Sequence, residues 1–464
     1  MKLFHFGDVH YEEAKHRRQA PDGQDQGWHD VANAVEMIVN AAITNAQTEP
    51  TVLVFGGDLA RTRKPSPQTY AHFGWNIARA NAAGVPTIAI PGNHDIASAG
   101  DANALEPLRH VPGFHLFNQP GTAWITVDKN PEEDEIPHVR IQRNAPAEGT
   151  WLKAEAAITC MPWVTRAQAA ANAGDVDQDD LLQQMARQIL TVIQAEAAAP
   201  IEQGIPTFVL YHGTVTGGQT ATGQQAHLFH EPAVSAIDLG NMGLAGVMLN
   251  HLHKRQELGS VNGGTPIVYS SSVERLTFGD ERDTKGWVEW TWTEQQTRYT
   301  YGDTNARRFV TLTDETAWTP ADVKDAIVRC RYTTGETLTD PAQMERDLLA
   351  AGAHRVVEIS ITPAEEDNTL DLAAVEQAAD PLKALVDWLQ TEMPDLDQEQ
   401  RLRILDNAAE LLGREPASPP IDTTGSIADY QVEPGAVWDS SMGEPGSLEL
   451  EGTWDSVSAD QLTF

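Results

Sequence analysis

The chain has 464 residues, 41% of them hydrophobic, which excludes wholesale disorder and is too long for one ordinary core, so two or three units are expected. A formal net charge of −35 at pH 7 excludes a protein that simply coats nucleic acid with its whole surface. Two cysteines, Cys160 and Cys330, in no metal-binding spacing exclude a thiolate zinc site, and no run of about 18 apolar residues offers a membrane span. The opening residues reach Asp8 without an apolar stretch of signal-peptide length, so a reducing, cytoplasmic location is expected.

In chain order, residues 2–6 read as a strand running into Asp8, and apolar side chains from Trp28 to Ile43 recur with a helical period over 28–46. Residues 51–55 read as a buried strand ending at Gly56-Gly57-Asp58, 67–83 as a helix, and 85–90 as a strand ending at Pro91-Gly92-Asn93-His94. The stretch 129–150 reads as an exposed acidic insertion. Strands are expected at 156–161, 206–211, 244–249 and 265–269, with a helix near 178–197. Segment 305–365 predicts strands at 309–313 and 355–361 and helices at 320–329 and 341–351, enough for a small α/β module. Two amphipathic helices, 371–391 and 397–412, need something to cover their apolar stripes. From 416 to 464 the chain carries nine acidic residues and no Lys or Arg, a disordered-tail composition.

The repeated pattern is strand, glycine turn, ligand. It places candidate ligands at the carboxyl ends of neighbouring strands, where open α/β sheets put their active sites. Five pieces supply them in order: Asp8-Val9-His10, Gly57-Asp58, Gly92-Asn93-His94-Asp95, Tyr211-His212-Gly213 and His251-Leu252-His253. Each piece alone is uninformative, but the ordered set supplies enough oxygen and imidazole donors for two divalent ions. Without thiolates the donors suit Mn²⁺, with Mg²⁺, Fe or Zn²⁺ also accommodated. Two ions roughly 3.5–4 Å apart need a bridging carboxylate, and Asp58 is the natural one. Asp8, His10 and His253 would complete one ion, and Asn93, His212 and His251 the other. Such a pair would activate water for in-line attack on phosphorus. His94, left over beside a ligand, is the expected general acid, with Asp95 orienting its imidazole. The ten histidines outside these motifs, His5 among them, are read as surface or core residues.

Eight of the 32 Lys and Arg residues, Lys15, Arg17, Arg18, Arg61, Arg63, Lys64, Lys254 and Arg255, fall in three short clusters close behind metal motifs. They predict a positive rim, suited to a phosphodiester backbone, on an otherwise acidic protein.

The ordered set resembles the calcineurin-like metallophosphoesterases, and within them the SbcD-type nuclease subunits of double-strand-break repair complexes. A narrower resemblance is Tyr269-Ser270-Ser271-Ser272-Val273-Glu274-Arg275, followed by Lys285-Gly286-Trp287, which is similar to the nuclease family's Y-P-G-S-x-E-R and K-G-hydrophobic segments. The resemblance implies a four-layer αββα sandwich over 1–300, a capping domain at 301–368, helices at 369–415 that dock on an SMC-like coiled-coil ATPase, and an acidic tail at 416–464. It also implies a homodimer with Mn²⁺-dependent 3′→5′ exonuclease and single-strand endonuclease activity on DNA. Metal roles would fall to Asp8, His10, Asp58, Asn93, His212, His251 and His253, and proton donation to His94. Asn250 stands where the family's last motif has glycine, Ser270-Ser271 replaces Pro-Gly, Glu12 replaces a common glycine, and Arg61 takes the place of a histidine near the scissile strand. A small-molecule phosphoesterase would share every ligand but need no basic rim, cap or partner helices. A mainly architectural ATPase partner would retain the fold with a vestigial site.

Overall fold

A computed structural model describes residues 1–11, 25–96, 103–128, 138–146, 154–165, 178–220, 231–259, 264–293, 296–314, 317–333 and 340–362, together with 401, 403–405 and 408. Met1–Ala364 and Glu365–Phe464 form two compact units. The first begins with β1 (Lys2–Phe6), α1 (Gln26–Ala46), β2 (Thr51–Phe55), α2 (Pro67–Ala82), β3 (Thr87–Ala89), β4 (Phe114–Leu116), β5 (Gly121–Asp128), β6 (His138–Gln142) and β7 (Ala154–Met161). It continues through α3 (Gln178–Glu202), β8 (Thr207–His212), β9 (Thr214–Val215), β10 (Ala233–Val234), α4 (Ala236–Gly240), β11 (Gly246–Asn250), β12 (Gln256–Glu257), β13 (Ile267–Tyr269), β14 (Gly286–Trp292) and β15 (Thr297–Asp303). Last come β16 (Phe309–Thr313), α5 (Pro320–Val323), β17 (Ile327–Thr333), α6 (Pro341–Ala350) and β18 (Arg355–Thr362).

Two mixed sheets carry the body, in the orders β15-β14-β1-β2-β3-β4 and β12-β13-β11-β8-β7-β5-β6. Their strands are apolar on both faces, as strands covered on both sides must be. Along β2, Val52 and Val54 join the core between the sheets, whereas Leu53 and Phe55 pack with residues of α1 and α2. In the second sheet, Met248 enters the same inter-sheet core while Val247 and Leu249 meet Ile189 and Ile193 of α3. The layers are therefore helix, sheet, sheet, helix, and each fully buried Val, Leu or Phe contributes about 1.5–3 kcal/mol. Asp25 caps α1 by accepting from the Gly27 amide, and the Ser66 hydroxyl accepts from the Thr69 amide with Pro67 opening α2.

Because β1, β2, β3 and β4 run parallel, as do β7, β8, β11 and β13, their carboxyl ends gather in a common direction in each sheet. Besides the small β10-β9 pair, a separate three-stranded sheet, β16-β17-β18, has its own core around Leu312, Val328, Cys330 and Leu348 but lies in the same compact unit. Arg307 ties its approach to the body, with its guanidinium donating to both Asp30 carboxylate oxygens at 2.6 and 2.8 Å.

Two expected elements come out differently. Part of the acidic stretch is an edge strand, β6, because Val139 and Ile141 alternate with polar neighbours and pack against the inter-sheet core. The helix expected at 320–329 stops at Val323, and Ile327–Thr333 pairs in parallel with both β16 and β18, pairing that overrides its helical pattern. Residues 129–137 and 147–150, most of 371–412 and all of 416–464 lie outside the described residues. Among the described residues no helix is long and apolar enough to cross a membrane. Both cysteines are buried free thiols.

Candidate metal centre

All seven expected ligands come together. Asp8 and His10 follow β1, Asp58 follows β2, Asn93 follows β3, His212 ends β8, and His251 and His253 follow β11. Of the seven described non-glycine residues with positive φ, four are among the expected ligands: Asp8 at 49°, His10 at 51°, Asp58 at 58° and His251 at 102°. Conformations of this kind cost about 1–3 kcal/mol each and persist where surrounding structure over-determines them. Gly57 is required for the same convergence. Its φ is 96°, and a Cβ there would lie 2.3 Å from the Gly92 amide nitrogen, so a side chain would force the Asp58 and Asn93 loops apart.

Donor atoms of Asp8, His10 and His253 lie within 4.8 Å of one another, as do those of Asp8, Asp58 and His212 and those of His10, Asp58 and His94. Asp58 Oδ2 sits 3.7 Å from His10 Nε2 and 3.5 Å from His212 Nε2, between the two ligand sets as a bridging carboxylate should be. In the first set, His10 Nε2 and His253 Nε2 face each other at 3.0 Å. In the second, Asn93 Oδ1 lies 3.1 Å from His212 Nε2 and 3.0 Å from His251 Nδ1.

The electrostatics fit bound cations. Burial works against charge on Asp58, yet His212, His10 and His94 around it hold the carboxyl well below the usual carboxylate range. Burial pushes the His253 imidazole down to about 4, and burial with His253 beside it pushes His10 down as well, so both present neutral nitrogens. Burial would lower His212 too, but the Asp58 carboxylate and then Asp8 hold it up at about 9. The charges that retain a proton on that imidazole would equally retain a metal ion, which displaces the proton on binding. Its Nδ1 donates to the Gly56 carbonyl at 2.6 Å, which directs the lone pair of neutral Nε2 into the site. The donor set thus fits two divalent ions.

One role needs correction. Asp95 does not orient His94. It is fully buried, and its carboxylate accepts from the amides of Asp58 (2.6 Å), Leu59 (3.0 Å) and Gly92 (2.9 Å), so it pins the two ligand loops together. Burial and the Asp58 charge push its carboxyl up to about 7 against the pull of those three amides. The His94 ring instead places Nδ1 2.9 Å from the Arg61 carbonyl, while the His94 amide donates to Asp58 Oδ1 at 2.9 Å.

Several functional side chains escape a motif-level reading. Glu231 accepts from His251 Nε2 at 2.7 Å, fixing that ring from behind. Asn250, in the position of the expected glycine, is fully buried; its Nδ2 donates to Asp8 Oδ2 at 3.1 Å and Ser270 Oγ at 2.9 Å, and its Oδ1 accepts from His5 Nε2 at 2.7 Å. A Cβ on Gly56 would fall 1.7 Å from Asn250 Oδ1, so the amide occupies room that only glycine leaves. The departures at 250 and 270 are therefore one coupled feature, and His5, read as a surface or core residue, is a core residue that belongs to it. Lys285, fully buried, donates to the His253 carbonyl at 2.8 Å and pairs with Asp280 at 2.6 Å, linking the Lys-Gly segment to the first ligand set. Paired residue types at Asn250 and Ser270 were the available signal; for Glu231 the sequence offers none.

The basic clusters divide. Arg61, Arg63 and Lys64 are exposed directly behind Asp58. Lys254 donates to Gln219 Oε1 at 2.7 Å. Arg255 is drawn into the fold, stacked 4.5 Å from the Tyr301 ring centroid and donating to the Gly302 carbonyl at 2.7 Å, so its place on a free rim is not borne out. Lys15, Arg17 and Arg18 lie outside the described residues.

Residues 1–152 match a family model described as calcineurin-like phosphoesterase. That segment contains Asp8, His10, Asp58, Asn93 and His94, and His212, His251 and His253 complete the site from beyond it. A solved dimetal phosphatase from Danio rerio is 9% identical, with a TM-score of 0.35, over 65% of this chain and 99% of its own. A second solved structure is 10% identical, with a TM-score of 0.32, over 65% of this chain and 98% of its own. Likeness at that level carries no inference about chemistry. No curated protein matches the chain.

Proposed function

We propose that this chain is a two-metal phosphodiesterase acting on DNA, the nuclease subunit of an SbcCD-like complex. The observation that carries the phosphoesterase part is the position of Asp58 Oδ2 between two imidazole-rich donor sets, with His94 beside it. When bound, two divalent ions, Mn²⁺ in this reading, supply charge neutralisation for the phosphate and an activated water. The chain supplies the remainder. Asp58 and Asp8 give negative charge to both donor sets, and Asn93 contributes a neutral oxygen, which keeps the site attractive to a phosphate. His94 Nδ1–H donates to the Arg61 carbonyl, so the ring in its imidazolium form holds its second proton on Nε2 and passes it to the leaving oxygen as the P–O bond breaks.

The DNA part is supported by exposed Arg61, Arg63 and Lys64 directly behind the bridging carboxylate, where a phosphodiester backbone would lie. It is supported also by the buried Lys285–Asp280 pair, which gives the nuclease-like 269–287 segment a purpose at the His253 carbonyl. In this reading the β16-β17-β18 module caps the DNA, segment 369–415 docks on the coiled-coil ATPase, and a second copy completes a homodimer.

An end-labelled DNA assay in Mn²⁺ tests the proposal. Wild-type protein should release a 3′ label at once, shorten 5′-labelled strands progressively and nick single-stranded DNA, and His94→Ala should lose about 10²–10⁴-fold in kcat while retaining metal. Hydrolysis of a chromogenic diester with no DNA cleavage would transfer the site to a small-molecule substrate. Cleavage by His94→Ala within a few-fold of wild type would remove His94 from proton transfer.

A further inference from the structure

We propose that Trp163 and the cavity beside it form a subsite for a planar aromatic group, a nucleobase, attached to the phosphate that the metal centre holds; this rests on the phosphodiesterase reading above. Trp163 follows β7, and its amide donates to the Pro91 carbonyl at 3.1 Å, fixing it to the loop that carries Asn93. Its ring centroid lies 5.1 Å from that of His251 at an interplanar angle of 41°, and 6.1 Å from that of His212 at 82°. The indole is therefore an aromatic surface adjoining the second ligand set, and it is half-buried rather than sealed into the core.

The same side chain lines a cavity of about 240 Å³, bounded among others by Pro120, Met161, Pro162, Val164, Met185 and Ile189. Among the described residues no charged side chain lines it, in a chain whose net charge is −35. A neutral, apolar recess has nothing to offer a second phosphate or a cation. It suits a flat, weakly polar ring, which can stack on indole and meet the polarizable sulfurs of Met161 and Met185. Gln119 and Gln188, both exposed at its edge, place amides where the hydrogen-bonding edge of a base would emerge. Trp163 both lines the cavity and adjoins the His251 and His212 rings, so a base stacked on it would be the one joined to the reacting phosphate.

The test compares dithymidine monophosphate with its two counterparts that lack one or the other base, each cleaved in Mn²⁺. For wild type, removing the base that occupies the subsite should lower kcat/KM about tenfold or more, the scale of one base–aromatic stack. Trp163→Ala should bring the intact dinucleotide down to the level of that abasic counterpart and leave the counterpart's own rate within about twofold. Trp163→Phe should recover part of the difference. Val192→Phe, which fills the cavity from α3 without altering the indole, should raise KM only for the base-bearing substrate. Equal losses on both substrates in Trp163→Ala, with Val192→Phe unchanged, would overturn the subsite and leave the indole as packing for the ligand loops. If wild-type protein with two bound Mn²⁺ cleaves none of the three, the phosphodiesterase reading fails and the subsite with it.

Discussion

The two halves of the metal centre are built with unequal care. In the second set, both histidines are fixed from behind, His212 by the Gly56 carbonyl and His251 by Glu231. In the first, His10 Nδ1 is buried with no hydrogen-bond partner among the described residues, and the ring meets His253 nitrogen to nitrogen. Outer-shell partners fix tautomer and orientation and raise ligand basicity. The second ion should therefore bind more tightly than the first. What anchors the first set lies instead in the backbone and in Asp8: Lys285 grips the His253 carbonyl, and Asn250 with the His251 amide grips the Asp8 carboxylate.

The largest expected effect comes from removing the backbone anchor. Lys285→Met strands the buried Asp280 carboxylate and should cost about 3–5 kcal/mol of stability by denaturant titration. Burial alone would raise Asp280, but Lys285 holds its carboxyl below the ordinary value. A depressed folded value means a contribution present above the unfolded value of about 3.9 and lost as pH falls through the lower folded one. Without Lys285, burial raises the Asp280 carboxyl of the variant, so the gap between wild type and variant should be full above that raised value, narrow as pH falls through it and go on closing into strong acid. A gap that does not narrow as pH falls would reject the pairing.

Next in size is a reciprocal pair of substitutions, read by calorimetric titration with Mn²⁺. Glu231→Ala should weaken the tighter ion by about 10–100-fold and bring the two affinities together. Asn250→Ala should weaken the other ion by no more than about tenfold and widen the difference. If both substitutions weaken the same binding step, the division into two unequal sets is wrong.

Most of the metal centre is legible in the amino-acid sequence. Strand–turn–ligand spacing locates the seven candidate donors that the structure gathers, because such donors must sit on loops that short buried strands deliver to one edge. The uninterrupted apolar run Val52–Phe55 of β2 similarly forces cover on both sides of the sheet. The parts that stay hidden are contacts between distant segments. Asp95 stands next to His94 in the chain, yet its carboxylate faces the Asp58 and Gly92 amides, since a buried carboxylate goes where donors cluster. Arg255 reads as a surface cation in isolation, and only the β14–β15 hairpin supplies the ring and carbonyl that draw it inward. His5 is buried on β1, where a polar ring needs a partner, and only the arrival of Asn250 from β11 reveals which.

The most direct test is anomalous diffraction from crystals of the full chain soaked in Mn²⁺. Two peaks roughly 4 Å apart or less, one on either side of Asp58 Oδ2 and the stronger beside His212 and His251, are expected. A single peak, or two that do not share Asp58, would contradict the two-metal site.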